Sequence, residues 1–329
     1  MSSTSMVEPN AMNIRHGVRL GVAVRRFLGV GLALLVLFVL LSVTQENFLR
    51  YSNLMNILRT NSVLFVAGVG LTFVIVGQGL DLSIGSLVAL GGVFLASMLA
   101  KGVPVELAII LTIICCGALG AIINGGLIAY GGFNFFVVTL ATLQLFRGAA
   151  LVLSSGRAMS TADFDLVQFL GDGRVGPVPV PVAIAVLVGI IGYVVMRWTR
   201  FGRAVYAVGG NEVAARLAGV DVRRIRFAVY AISALCAGIA AVMFTGRLTT
   251  SQPMSGAMGL ELSAAAAVLL GGASFSGGSG TIAGTAIGVL FLGVLANGIT
   301  LAGVPSYWQG IATGAVLIFA IALDRLRSR

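Results

Sequence analysis

The sequence predicts an all-α polytopic membrane protein of about ten transmembrane helices. Three observations predict it. Hydrophobic residues make up 58% of the 329-residue chain and charged residues 10%, against about 45–50% and 25% in water-soluble domains; mean hydropathy is +1.04. Apolar runs of about 17–25 residues, long enough to cross a bilayer core, alternate with short polar connections. The arginines cluster in an N-terminal arm, one central stretch and the C-terminal end. A net charge of +10 distributed in this way fits orientation in a membrane and contact with anionic lipid, and argues against a nucleic-acid partner.

In chain order, residues 1–24 read as a polar arm, and Arg15, Arg19, Arg25 and Arg26 place it in the cytoplasm. His16, the single histidine, reads as a solvated arm residue. Residues 25–325 read as one transmembrane domain and 326–329 as a cytoplasmic tail. The apolar runs fall at about 27–43, 57–76, 82–99, 105–130, 133–153, 182–196, 227–245, 262–270, 281–299 and 307–323. Between the fifth and sixth lies a polar stretch, Ser154 to Gly176. The eighth run is short and glycine-interrupted, a pattern compatible with a full crossing and with a segment that dips in without crossing as a regular helix. Ten crossings from an inside start return the C-terminus to the cytoplasm. Cys115, Cys116 and Cys236 lie in apolar runs and read as core packing, without metal-ligand spacing.

The stretch 197–226 interrupts this pattern with seven arginines between two apolar runs, which puts it on the cytoplasmic side. Gly209, Gly210 and Asn211 form a turn able to cap a helix, Glu212 to Gly219 reads as that helix, and Gly219 ends it. A surface for a soluble partner and a basic loop that only fixes topology are both compatible with this pattern.

Two glycine-rich breaks, near 77–86 and 271–280, interrupt apolar segments. In GLDLSIGS (79–86) and GASFSGGS (272–279), Gly79, Ser83, Gly85 and Ser86 align with Gly272, Ser276, Gly278 and Ser279, and Gly91 with Gly284. An even number of crossings separates them, so both open to the same side. Paired breaks in two halves point to a substrate path, because unwound backbone at membrane depth must be buried or line a cavity; close helix packing at small residues is the alternative. Asp81 sits in the first break, and an intramembrane carboxylate is normally paired or cavity-lining. Arg147 is one candidate partner for it, and Glu261 is placed at the outer mouth of the eighth segment. No phosphate-cradling G-x-x-x-x-G-K-[ST] occurs. An intramembrane serine hydrolase lacks a base near its serines, since His16 is in the arm and Lys101 in an outer turn.

GQGLDLSIGS (77–86), FFVVTLATLQLFRGAALVLSSG (135–156), TRFGRAVYAVGGNEVAARLAGVDVRRIR (199–226), ELSAAAAVLLGGASFSGGSGTIAGTAIG (261–288) and LANGITLAGVPSYWQGIATGAVLIFAIALD (295–324) together resemble the membrane permeases of ribose-type ATP-binding-cassette sugar importers, from about Asn53 to Leu323. The resemblance implies a permease without its own ATPase site, in the cytoplasmic (inner) membrane. It implies a second permease copy, cytosolic cassette ATPase subunits carrying ATP and magnesium, and a periplasmic or extracellular sugar-binding protein. It makes the central helix a coupling element with Asn211, Glu212, Ala214, Ala215, Arg216 and Gly219 at the ATPase contact. Ala214, Ala215 and Gly219 match the EAA-x-x-x-G motif of related importers, and Val213 stands where that motif has Glu. Gln78 stands where this family more often has glycine. Gln78, Asp81, Ser83, Ser276 and Asn297 are the expected path residues. The rival reading is an ion-coupled secondary transporter using Asp81.

Overall fold

The structure, a computed structural model, describes residues 29–327 apart from positions 255 and 306, with the side chains of 321–327 also outside the description. The arm of residues 1–24, with His16, therefore lies outside the described residues. Helices dominate: α1 (Gly29–Thr44), α2 (Tyr51–Val76), α3 (Ile84–Ala100), α4 (Val105–Leu119), α5 (Phe135–Ser154), α6 (Asp165–Asp172), α7 (Val180–Trp198), α8 (Arg200–Gly210), α9 (Glu212–Leu217), α10 (Val222–Leu248), α11 (Leu260–Leu270), α12 (Ile282–Leu301) and α13 (Trp308–Arg327). From Gly120 to Tyr130 α4 continues as a π-helix.

Six of the described helices are long and apolar enough to cross a membrane: α2, α4 with its π-helical extension, α5, α7, α10 and α12. Of the remaining apolar runs, α3 and α11 are shorter helices, and α1 and α13 are apolar over their described spans Gly29–Thr44 and Trp308–Ala320. α11 has 11 residues, about 16 Å of helix, against a hydrocarbon core of about 30 Å. By itself it does not cross.

α10 is the central mast, packed against α2, α3, α4 and its π-helical extension, and α6. Small residues let the neighbours close in: Gly70 of α2 lies against the Ser233 backbone, and Gly120 against Ala234. Between membrane helices such contacts supply van der Waals attraction where the hydrophobic effect cannot. Short antiparallel pairings join Met159–Ser160 to Thr250–Ser251 and Arg174–Val175 to Val178–Pro179, where the sequence suggested only an irregular polar stretch.

The central stretch 197–226 is almost wholly helical rather than a loop. α8 and α9 occupy it, and the first turns of α10 already begin at Val222. Thr199, Asn211 and Asp221 cap these three helices, each accepting a backbone N–H with its side chain. Such caps satisfy amides that have no partner inside the helix. α8 went unread because its arginines mask a clear division: Val205, Val208 and Gly209 are buried, while Arg200 and Arg203 point outward.

Candidate coupling and translocation site

The two glycine breaks meet. Residues 77–83 join α2 to α3 and residues 271–281 join α11 to α12, so each half contributes a helix, a break and a helix. The Gly278 amide donates to the Val76 carbonyl at 2.9 Å, tying one break to the end of the helix before the other. α8 is wedged into the same junction. A Cβ on Gly209 would come within 1.8 Å of the Val76 carbonyl oxygen, so only glycine permits that approach. The Tyr206 hydroxyl donates to the Gly280 carbonyl at 2.6 Å, and burial holds this phenol above its ordinary pKa, outweighing the pull of Arg197. It stays a donor at neutral pH.

Asp81 is buried within this junction and acts as an anchor for α3. Its Oδ1 accepts from the Ser83 amide at 3.0 Å and the Ser83 hydroxyl at 2.6 Å, and Oδ2 accepts from the Ser233 hydroxyl of α10 at 2.8 Å. The Asn124 amide, on the π-helical turn, donates to Ser83 Oγ at 2.8 Å and reaches Asp81 at 3.5 Å. A carboxylate at the start of a helix is favoured by the helix dipole. Arg147 is not its partner: its Nη1 donates to the carbonyls of Pro253, Met254 and Gly256, the last at 2.8 Å.

Of the expected path residues, Asp81 and Ser83 are bonded to each other and Gln78 lies against Gly277, next to Ser276. Asp81 and Ser83 are buried, whereas Gln78 and Ser276 are exposed at the breaks. Asn297 lies elsewhere, its amide exchanging hydrogen bonds with Asn53 at 2.8 and 3.0 Å. Gln78 has φ +65°, a left-handed conformation that favours glycine. It borders a cleft of about 390 Å³ with Asn134, Phe135, Arg226, Tyr230 and Phe275.

α9 sits beside that cleft. Glu212 holds Arg216 at 2.8 Å and Arg226 of α10 at 2.5 Å, so one acid ties the short helix to the mast at the cleft's rim. Ala215 is buried with Val208 and Val222, facing the protein. The outward apolar surface belongs to Val213 and Leu217, 69% and 85% exposed and one turn apart. The sequence hid this role, because Val213 reads there as a missing acid; the (i, i+4) spacing of the two side chains is the signal that reveals it.

Over residues 53–321 the chain matches the family described as branched-chain amino acid transport system / permease component. It is 41% identical to the ribose import permease protein RbsC of Escherichia coli strain K12, over 89% of this chain and 92% of that one. The Bacillus subtilis ribose import permease is also 41% identical, covering 92% and 93%. The D-allose transport system permease protein AlsC of E. coli K12 is 39% identical, covering 88% of each. No solved structure matches. With this identity over nearly the full length of its relatives, the chain belongs to that permease family, among the ribose-type permeases of ATP-binding-cassette importers.

Proposed function

We propose that this chain is the membrane corridor of an ATP-driven importer for a monosaccharide or similar polyol. Its relatives are permeases for ribose and allose, and the arrangement of α8 and α9 supports the same use of this chain. The observation that carries the reading is the Glu212 clamp on Arg226 beside the contact of Gly209 with Val76, the residue before the first break, and with Gly278 in the second. A push on the exposed Val213–Leu217 face therefore bears on α10 and on the junction of the two halves together.

The face lies on the cytoplasmic side and meets a groove in a cassette ATPase, which supplies ATP and magnesium. Asn211 and Glu212 start the helix, Ala214 and Arg216 lie at the contact, and Gly219, at φ +82°, turns the chain back towards α10. The ten apolar helices make ten crossings, with α11 completed by the non-helical segment that precedes it, and both termini lie inside. A sugar-binding protein delivers substrate at the outer face, and a second permease copy completes the corridor in the cytoplasmic membrane. Gln78 and Ser276, at the rims of the breaks, contact the sugar in transit, and Asp81 and Ser83 hold the first break in shape.

Reconstitution tests this. The permease assembled with its ATPase and binding protein should import D-ribose, D-allose or L-arabinose only with ATP, and the chain alone should show no uptake under a proton or sodium gradient. Gradient-driven uptake by the chain alone, lost in Asp81→Asn, would replace this reading with the ion-coupled one.

A further inference from the structure

The cleft beside α9 carries a charge that the passage of a neutral sugar does not need. Its walls all belong to one chain: the first break at the end of α2, the turn that enters α5, the first turns of α10, and Phe275 of the second break. Its volume of about 390 Å³ lies within the roughly 300–1,000 Å³ of small-molecule sites. In the orientation proposed above, it opens to the cytosol.

The wall is electrostatically one-sided. Arg226 is its single cation, and no carboxylate lines it. Asp81, two residues beyond Gly79, is buried, with its oxygens taken by Ser83 and Ser233. Asn134 and Phe135 open α5, whose first turn holds no acid, so the partial positive charge of a helix start adds to that of the guanidinium. Among the described residues, the ion pair of Arg226 is with Glu212 of α9. An anion in the cleft therefore competes with Glu212 for the same side chain.

The rest of the lining suits a hydroxylated body attached to that anion. The Asn134 side-chain oxygen accepts from the Phe136 amide at 2.9 Å, which leaves its NH2 group to donate. The Tyr230 hydroxyl, on a residue only 2% exposed, reaches the Leu80 carbonyl at 3.4 Å, well beyond the roughly 2.7–2.8 Å typical of such bonds. It is poorly satisfied where it stands. Phe133 and Phe275, 60% and 46% exposed, present ring faces that attract the C–H side of a sugar.

We propose that this cleft is a regulatory site for a small phosphorylated sugar on the cytosolic side, whose phosphate takes Arg226 from Glu212. A guanidinium fork matches phosphate oxygens. With the clamp released, α9 loses its tie to the mast, and ATP is hydrolysed with less sugar moved. The inference rests on the proposed permease function. The site is separate from the corridor, because it is built within one chain, is entered from the cytosol and selects a charge that the transported sugar lacks.

The test uses proteoliposomes of the assembled transporter, with ATP and D-ribose 5-phosphate inside and sugar-loaded binding protein outside. Inorganic phosphate or D-ribose, at the same millimolar concentration, replaces the sugar phosphate in the controls. D-ribose 5-phosphate should lower uptake per ATP hydrolysed at least threefold, and neither control should change it. Binding of radiolabelled D-ribose 5-phosphate to the same complex is measured in parallel. Asn134→Asp keeps the helix cap, since a carboxylate also accepts the Phe136 amide, and adds a like charge to the cleft. Without sugar phosphate it should import at the parental rate; it should bind the probe at least tenfold more weakly and escape the inhibition. Phe133→Glu, at an exposed position, is a second variant with the same expectation. Absence of binding, binding that neither variant weakens, inhibition matched by inorganic phosphate, or hydrolysis that falls in step with uptake would overturn the site. A complex that binds the probe with this dependence on the variants but imports no sugar exposes a failure of the function reading instead.

Discussion

Asp81 shows how one residue type supports two different expectations. A carboxylate inside a membrane suggests a transported ion or a salt bridge, yet its oxygens are taken up by Ser83, Ser233 and the nearby Asn124, with no cation at ion-pairing distance among the described residues. Asp81→Ala orphans these buried donors, at a cost of about 1–3 kcal/mol for each one left unsatisfied. Its thermal unfolding midpoint in detergent should fall clearly, and Asp81→Asn, which keeps an acceptor oxygen, should fall less. Gln78 makes the opposite case. Removing its side chain relieves a left-handed backbone, so Gln78→Gly should raise the same midpoint or leave it unchanged, by up to about 1 kcal/mol. The position of Asp81 was legible in the sequence because glycines and serines crowd around it. Its partners were not, since Ser233 lies 152 positions away. The partners of Arg147 were invisible for a further reason: backbone carbonyls carry no letter.

At the scale of elements, α9 divides its residues in a way that composition could not. Small residues at 214, 215 and 219 suggested that all of them face a partner, but Ala215 faces Val208 and Val222. Ala215→Leu should therefore overpack the α8–α9–α10 corner by about 1–3 kcal/mol, lowering thermal stability as well as transport. Leu217→Asp should leave insertion and thermal stability unchanged, because the side chain is exposed, and should lower ATP-driven uptake and co-purification of the ATPase at least tenfold. Glu212→Gln weakens both of its ion pairs and should uncouple instead: ATP hydrolysis by the complex persists while uptake per ATP falls. Of the three caps, only that at Asn211 was read from residue type and spacing, for α9, whose glycine stop was plain. α8 was concealed by arginines that anchor one face while valines fill the other.

For the whole molecule, the alternation of apolar runs and the paired breaks were readable, because helix length and glycine content answer directly to bilayer thickness and backbone freedom. The count of spans was less plain, since among the described residues six helices meet the length, while α3 and α11 fall short of it. In the case of α11 the shortfall reflects a chain that travels part of the way as turns pinned by an arginine, which hydropathy averages over. The bond from Gly278 to Val76 carries one more consequence. It works as a common axle for the halves, so neither can swing alone without snapping it. A fluorophore pair placed on α3 and another on α12 should report one shared transition per turnover rather than two independent ones.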